Sequence, residues 1–282
     1  MIDDNSKEFI KRHIGPSDKD QSKMLQYVGY NSLEDLMINT VPEKILLKND
    51  LKIDEPLSEN DALKKLKSIS KKNKIFRNFI GMGYYNSITP NVVLRNILEN
   101  PGWYTSYTPY QPEVAQGRLE MLLNFQQLII DLTGMDIANA SLLDEATAAA
   151  EAVGLFQRLD KTNSKKIFIS SNCNPQTIDL IKTRTEPFGL ELIIGDEKKE
   201  LTKINEDIIC GVLSYPGTLG EIVDPSESIS QIHKKNGKAI LVCDLLALAK
   251  LKTPAELGAD IAVGSAQRFG IPMGYGGPHA AF

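Results

Sequence analysis

Residues 238–270 read KAILVCDLLALAKLKTPAELGADIAVGSAQRFG, with two apolar runs separated by a polar segment. The runs KAILVCDLLAL (238–248) and ADIAVGS (259–265) have the near-continuous apolar character of strands buried on both faces. Such strands are typical of α/β proteins, in which helices cover both faces of a mostly parallel sheet. The stretch therefore predicts two successive strands of such a sheet.

The alternation of strands and helices extends back to residue 114. Apolar residues at helical spacing and a final Gly134 predict a helix over 114–134. The further predicted helices are 144–160, 174–189 and 226–237, and the further predicted strands are 135–143, 165–172, 190–196 and 207–216. We therefore predict an α/β domain over residues 114–282. Its ligands are expected at the carboxyl ends of the strands.

Residues 1–75 are predicted to form an arm of small helices. Ser17 can cap a helix that runs to about Val28, and a second capped helix is expected from Ser58. The Lys-rich stretch Asn60–Lys72 is interpreted as a solvated helix face, because the net charge of the chain is negative.

Residues 76–113 form a Tyr-, Pro- and Gly-rich region that we predict to be mostly irregular. It contains Trp103 and five of the nine tyrosines. Aromatic side chains on such a segment can line a pocket or an interface, or they can simply fill the core. The sequence leaves both alternatives open.

The composition excludes several classes of function. The 282 residues carry a net charge of −4, which argues against nucleic acid or an anionic membrane surface as the main partner. The longest apolar stretch, near Ala239–Ala249, is too short to span a membrane. The N-terminus has neither a secretory signal nor an Arg-rich transit peptide. We therefore expect a cytoplasmic protein.

The cysteines and histidines do not form a metal-binding or nucleophile motif. Cys173, Cys210 and Cys243 are far apart in sequence and lie in or beside apolar runs, which predicts buried, reduced thiols. There is no CxxC pair and no GxSxG motif, and the three histidines are scattered.

Asp244 directly follows the apolar run AILVC, at the carboxyl end of a predicted strand. A carboxylate there can pair with the protonated pyridine nitrogen of pyridoxal 5′-phosphate (PLP), although Asp also ends strands as a metal ligand or helix cap. In aminotransferase-like PLP enzymes the Schiff-base lysine follows the next strand. Here Gln267 and Arg268 occupy that region, and the amide of Gln267 cannot form an imine with an aldehyde.

The expected phosphate site also has the wrong charge. The helix after ANASLL begins with Asp144 and Glu145, which cap the helix well but repel a phosphate. These residues predict a PLP fold whose own cofactor site has been lost. The Gly-rich GIPMGYGGPH (270–279) does not match GxGxxG, so an NAD site is only weakly indicated.

Three long blocks of the sequence resemble one known family. RHIGPS (12–17), the block from NFIGMGYY to AAAEA (78–152) and the block from DLLALAKL to GGPHAAF (244–282) are similar to the P-protein of the glycine cleavage system. The amino-acid sequence of the second and third blocks resembles the long, single-chain form of that family rather than the separate short α subunit.

The resemblance implies two similar halves of PLP fold type I. The C-terminal half carries the Schiff-base lysine and binds PLP, whereas the N-terminal half is degenerate and completes the active site. It also implies decarboxylation of glycine, transfer of the aminomethyl group to the lipoyl group of the H-protein, and a homodimer at full length.

The resemblance also assigns residues. Candidates for lining the pocket of glycine and the lipoyl arm are Thr108, Tyr110, Gln111 and Glu113. The positions expected to be relics of a lost cofactor site are Asp144, Glu145, Asp244 and Gln267. No catalytic residue and no metal ligand is expected in this half.

Two other interpretations stay open. The chain could be a non-catalytic α subunit that pairs with a separate β subunit, or, less favoured, an autonomous α/β oxidoreductase. Because the sequence stops within the Gly-rich GYGGPHAAF (274–282), we expect a truncated chain rather than a complete one.

Overall fold

A computed structural model describes residues 8–47, 49, 51–104, 108, 110–275, 277 and 279–282, without the side chains of Glu8, Ile10 and Lys11. The chain divides into two compact units, residues 1–77 and 78–282. The division into an arm, a Tyr-rich region and an α/β domain stays a prediction.

The first unit is helical in its described part. Its helices are α1 (Glu8–His13), α2 (Asp18–Val28), α3 (Leu33–Thr40) and α4 (Glu59–Ser70). Ser17 accepts a hydrogen bond from the Asp20 backbone N–H at the start of α2, and Gly29 ends that helix with a φ of 84°. Ser58 caps α4 in the same way as Ser17 caps α2. The capped helices predicted at Ser17 and Ser58 are therefore confirmed.

The second unit contains a five-stranded sheet in which all the paired neighbours are parallel. The strands are β1 (Lys166–Ser170), β2 (Glu191–Gly195), β3 (Cys210–Tyr215), β4 (Lys238–Cys243) and β5 (Ile261–Val263), in the spatial order β2-β1-β3-β4-β5. Ile167 and Ile169 lie in one apolar cluster and Phe168 in another, because successive side chains of a strand point to opposite faces. Both faces of the sheet are thus covered, as predicted.

Helices of the second unit precede, connect and cover the strands. They are α5 (Asn91–Val93, continued by a π-helical turn Leu94–Leu98), α6 (Pro101–Tyr104), α7 (Gln116–Thr133), α8 (Glu145–Leu159), α9 (Pro175–Thr185), α10 (Glu200–Lys203), α11 (Ser226–Lys234) and α12 (Leu245–Leu248). Alanines of α8, among them Ala149, are fully buried, so this helix lies close to the sheet. Gly134 ends α7 with a φ of 73°, as its position predicted.

Two predicted strands are partly or wholly wrong. The segment 135–143 contains no strand, and Leu142 only forms a single antiparallel bridge with Ala281. No strand of the described sheet lies beside this segment, so no ladder forms. The run 238–248 changes to helix after Cys243, because the Asp244 side chain accepts a hydrogen bond from the Leu246 N–H and starts α12.

The three cysteines are free and buried, as predicted. Burial raises the pKa of the Cys173, Cys210 and Cys243 thiols above their ordinary range. Within the described part of the chain, no group of three His, Cys, Asp or Glu side chains is arranged to hold a metal ion. None of the described helices has the length and hydropathy needed to cross a membrane.

Candidate functional site

The carboxyl ends of β4 and β5 bring Asp244 and Arg268 together. Asp244 follows β4 directly, and Arg268 lies in a 3-10 helix (Gln267–Phe269) that follows β5. Arg268 donates from Nε to Asp244 Oδ1 at 2.9 Å and from Nη2 to Oδ2 at 2.7 Å. Both side chains are about four-fifths buried. The carboxylate of Asp244 is therefore already paired with a cation from its own chain.

The guanidinium of Arg268 also lies over an aromatic ring. Its Cζ is 4.7 Å from the centroid of the Tyr85 ring, within the range of a cation–π interaction. The hydrogen bonds to Asp244 raise the pKa of Arg268 further above its ordinary value. Arg268 is thus held as a permanent cation between a carboxylate and a ring.

Gln267 is buried at the same end of the sheet, with only 3% of its surface exposed. Its Nε2 donates to the backbone oxygen of Gly83 at 2.9 Å, and its backbone N–H donates to Ser265 Oγ at 3.2 Å. Its Oε1 has no hydrogen-bond partner among the described residues. A buried, unpaired amide oxygen costs about 1–3 kcal/mol, so the amide donor rather than the oxygen accounts for the placement of this side chain.

Two carboxylates lie at the start of α8, beside a cavity of about 250 Å³. Asp144 Oδ1 accepts from the Thr147 N–H at 2.8 Å and caps the helix. Glu145 Oε1 accepts from Asn174 Nδ2 at 2.9 Å. Burial raises the pKa of Glu145 above its ordinary value, and the hydrogen bond from Asn174 opposes that shift. The cavity is thus acidic where a helix N-terminus could otherwise receive an anion.

Comparison with known proteins identifies the family of the chain. A profile of the glycine cleavage system P-protein family matches residues 11–282. The chain belongs to this family.

Among P-protein relatives, the glycine dehydrogenase (decarboxylating) of Pelagibacter ubique (strain HTCC1062) is 74% identical over 282 residues, and that of Photobacterium profundum is 53% identical over 278 residues. The matches cover 100% and 99% of this chain but 29% of each relative. The chain therefore spans less than a third of the length of these curated relatives.

Solved structures agree with the family and the fold. The crystal structure of a glycine decarboxylase (P-protein) of the glycine cleavage system, in inhibitor-bound form, superposes with a TM-score of 0.85 at 34% identity, covering 95% of this chain and 61% of that one. A cysteine desulfurase from Thermococcus onnurineus NA1 matches at 14% identity and a TM-score of 0.52, over 70% of this chain and 50% of that one, which shows the fold alone. The fold of this chain is PLP fold type I.

The described residues at the carboxyl ends of the strands do not fit PLP. Gln267 cannot form the imine that a lysine would form. Asp244 is engaged by Arg268, so a pyridinium nitrogen would have to displace a guanidinium held by two hydrogen bonds. The carboxylates of Asp144 and Glu145 lie where a phosphate would need donors.

The four residues proposed for the glycine pocket lie elsewhere on the P-protein chain, between α6 and α7. Thr108, Tyr110, Gln111 and Glu113 are all exposed, and none of them lines the acidic cavity. Thr108 and Tyr110 are linked by a backbone hydrogen bond of 2.8 Å. The structure thus separates the two sets of candidate residues.

Sequence reasoning misses the partners of Asp244 and Gln267. It identifies Arg268 only as a residue that is not lysine, and it does not connect Gly83 or Tyr85 with this site. Gln267 and Gly83 are 184 residues apart in the chain, and no local pattern predicts such a pairing.

Proposed function

We propose that this chain is the part of a glycine dehydrogenase (decarboxylating) that completes the active site without holding PLP itself. The observation that carries the proposal is Gln267 beside the Asp244–Arg268 pair, in a chain 74% identical to such an enzyme. A PLP fold that has exchanged its lysine and neutralised its pyridinium partner is suited to a supporting role.

In the complete enzyme, PLP bound outside this chain would supply the electron sink for decarboxylation of glycine. The aminomethyl group would pass to the lipoyl group of the H-protein, and the disulfide of the lipoyl group would be reduced. We expect a cytoplasmic homodimer whose partners are glycine and the H-protein, with no nucleic acid or membrane partner.

The contribution of this chain's own residues lies in the segment before α7. We propose that Thr108, Tyr110, Gln111 and Glu113 line the pocket of glycine and the lipoyl arm. Hydroxyl, amide and carboxylate groups can orient a small zwitterion and exclude water around it. The exposure of all four side chains in this chain is compatible with a pocket that another part of the enzyme covers.

A second candidate is the non-catalytic α subunit of a two-subunit glycine decarboxylase. This chain covers 61% of the crystallised P-protein chain but 29% of the Pelagibacter ubique enzyme, so P-protein chains differ in length. The identity of 74% with the longer relative, against 34% with the shorter chain, favours the single-chain form. The coding sequence after Phe282 decides between them: a second α/β pattern with a lysine supports one chain, and a stop codon followed by a lysine-bearing gene supports two.

A chimera tests the proposed activity. This chain replaces the matching segment of the Pelagibacter ubique enzyme, and glycine–bicarbonate exchange is measured with lipoylated H-protein. We expect an active chimera in which Tyr110→Ala lowers exchange strongly and leaves the unfolding midpoint nearly unchanged. Tyr27→Ala is the matched control, because Tyr27 is 94% exposed and lies in the other unit. An inactive chimera, or unchanged exchange in the Tyr110 variant, would contradict the respective part of the proposal.

A further inference from the structure

The residues around the Asp244–Arg268 pair also hold a distant part of the chain. Residues 82–90, here called the anchored segment, lead from the start of the Tyr-rich region to α5. Contacts at both ends and in the middle tie this segment to residues at the carboxyl ends of the strands.

The first end of the anchored segment is held by two side-chain amides. Gln176 Nε2 donates to the Met82 oxygen at 2.6 Å, and Gln267 Nε2 donates to the Gly83 oxygen at 2.9 Å. Gly83 has a φ of +84°, and a Cβ there would come within 3.1 Å of Asn174 Nδ2. The backbone therefore approaches the site closely at a position that suits glycine.

The middle and the far end are held by residues 268–271. Arg268, fixed by Asp244, lies over the ring of Tyr85. Ser87 Oγ donates to the Ile271 oxygen, and Thr89 Oγ1 donates to the Gly270 oxygen at 2.5 Å.

Gly270 permits this close contact. Its φ is +109°, and a Cβ at this position would lie 2.8 Å from Pro90 Cδ and 3.2 Å from the Ile88 oxygen. A larger residue would push the anchored segment away from the strand ends.

The same 3-10 helix (Gln267–Phe269) also contacts α7, the helix that follows the Tyr-rich region. The ring of Phe269 packs edge-on against Phe125 of α7, with centroids 6.4 Å apart. α7 begins directly after the segment that contains Tyr110 and Glu113. Residues 267–269 therefore contact the chain on both sides of residues 91–115.

We propose that the site that does not fit PLP has become an anchor, in which Gln267 and Arg268 are positioning residues for the Tyr-rich region. The groups that face the lost cofactor position now hold the backbone of Gly83 and the ring of Tyr85 instead. Through these contacts they position the chain before α5 and α7 after it, on both sides of the proposed pocket residues Thr108, Tyr110, Gln111 and Glu113. The inference rests on the proposed function for its catalytic consequence, but not for the anchoring itself.

The anchoring is tested on this chain alone with a spin label. Cys173, Cys210 and Cys243 are at most 2% exposed, so Asn86→Cys introduces a single reactive thiol in the exposed part of the anchored segment. The electron paramagnetic resonance spectrum of a nitroxide attached at position 86 reports the mobility of the anchored segment. We expect Arg268→Ala and Gln267→Met each to narrow the lines of this spectrum, because the segment gains mobility. Gln267→Met nearly keeps the side-chain volume and removes the amide, whose Nε2 is the donor to Gly83 and whose Oε1 has no hydrogen-bond partner among the described residues, so it remains informative if the Arg268 variant folds poorly.

Two controls accompany the spectra. Arg184→Ala removes an arginine from an exposed ion pair with Glu151 and should leave the spectrum unchanged. A label introduced by Tyr27→Cys should not respond to either substitution at the anchor. Unchanged spectra in both anchor variants would overturn the proposal.

The catalytic consequence is tested in the chimera described above. A displacement of about 1 Å in a positioned group can cost on the order of 100-fold in rate. We expect Arg268→Ala to lower kcat/KM for glycine by roughly 10- to 100-fold, with Arg268→Lys between it and the unsubstituted chimera. The PLP content should stay the same, because PLP lies elsewhere.

The possible outcomes are distinct. A loosened label with full activity would overturn the positioning role. A loss of PLP in the variants would also overturn it, since the damage would then be general. An inactive unsubstituted chimera would instead contradict the proposed function, and the spin-label result would still decide whether the anchor exists.

Discussion

Arg268 donates two hydrogen bonds to Asp244 across the ends of two adjacent parallel strands, β4 and β5. The pairing is bidentate, which fixes the orientation of the guanidinium as well as its distance. A pyridinium that approached Asp244 would meet an occupied carboxylate and a repelling cation. The pair is therefore expected to oppose PLP binding in this chain.

The first prediction is that Gln267→Lys alone does not give this chain a PLP site. The new amine would lie beside Arg268, and the carboxylates of Asp144 and Glu145 would still repel the phosphate. After addition of PLP and reduction with borohydride, peptide mapping should find no preferred labelling at position 267. Combining Gln267→Lys with Arg268→Ala, Asp144→Ser and Glu145→Ser should increase labelling there. Strong labelling of the single variant would show that the other residues are no obstacle.

The second prediction concerns the start of α8. Asp144→Ala removes the acceptor of the Thr147 N–H and should lower the free energy of unfolding by about 1 kcal/mol. Asp144→Asn keeps a capping oxygen and should cost much less, which separates the cap from the charge. Urea unfolding followed by circular dichroism measures both. Equal losses in the two variants would assign the effect to the negative charge.

The third prediction is a pH dependence at Glu145. Burial raises the pKa of this carboxyl above its ordinary 4.5 in the folded chain. Below that pH the group is protonated in both the folded and the unfolded chain, so its charge has no effect on stability. As pH rises through the folded-state pKa, the folded chain must hold a buried carboxylate and loses stability. The free energy of unfolding of the Glu145→Gln variant, relative to that of the unsubstituted chain, should therefore increase with pH and then level off.

A control of opposite sign exists at Glu256. The backbone N–H of Thr253 lowers the pKa of Glu256 below its ordinary value. Its carboxylate therefore stabilises the fold at neutral pH and loses this effect as pH falls through the lowered folded-state pKa. Glu256→Gln should be less stable than the unsubstituted chain at neutral pH, with the difference fading in acid. The difference in free energy of unfolding between variant and unsubstituted chain should change with pH in opposite directions for Glu145→Gln and Glu256→Gln. If both differences changed in the same direction, the raised pKa assigned to Glu145 would be wrong.

The fourth prediction is that the native thiols do not react. Burial raises the pKa of all three cysteines, so little thiolate forms and little of it is accessible. Ellman's reagent should detect almost no thiol in the folded chain and all three after denaturation. Rapid reaction of one thiol in the folded chain would contradict the burial and would also compromise the spin-label design.

Much of the fold follows from local patterns. The apolar runs at 165–172, 190–196 and 207–216 predict three strands that the structure confirms. Ser17, Ser58 and Gly134 each predict a helix end correctly, because capping involves residues only a few positions apart. The segment 135–143 is wrongly predicted, since a strand needs a neighbour to pair with and, among the described residues, this segment forms a single bridge, from Leu142 to Ala281.

The candidate site is less predictable. The sequence alone identifies Asp244 as a position that fits a PLP site, and Gln267, Asp144 and Glu145 as positions that contradict one. It does not provide the pairing of Asp244 with Arg268 or that of Gln267 with Gly83. These pairs depend on how the strands are ordered in the sheet and on where the segment before α5 crosses their ends. Neither is encoded in spacing along the chain.

The Asp244–Arg268 pair has a consequence for how the residues of this site can change through successive substitutions. Removing the Arg268 side chain alone leaves the largely buried carboxylate of Asp244 without its cation. Gln267→Lys alone places an amine beside the guanidinium of Arg268. Changing Asp144 alone removes a helix cap while Glu145 still opposes a phosphate. Each of these single substitutions therefore gives a less favourable protein, and none of them by itself gives a site that fits PLP.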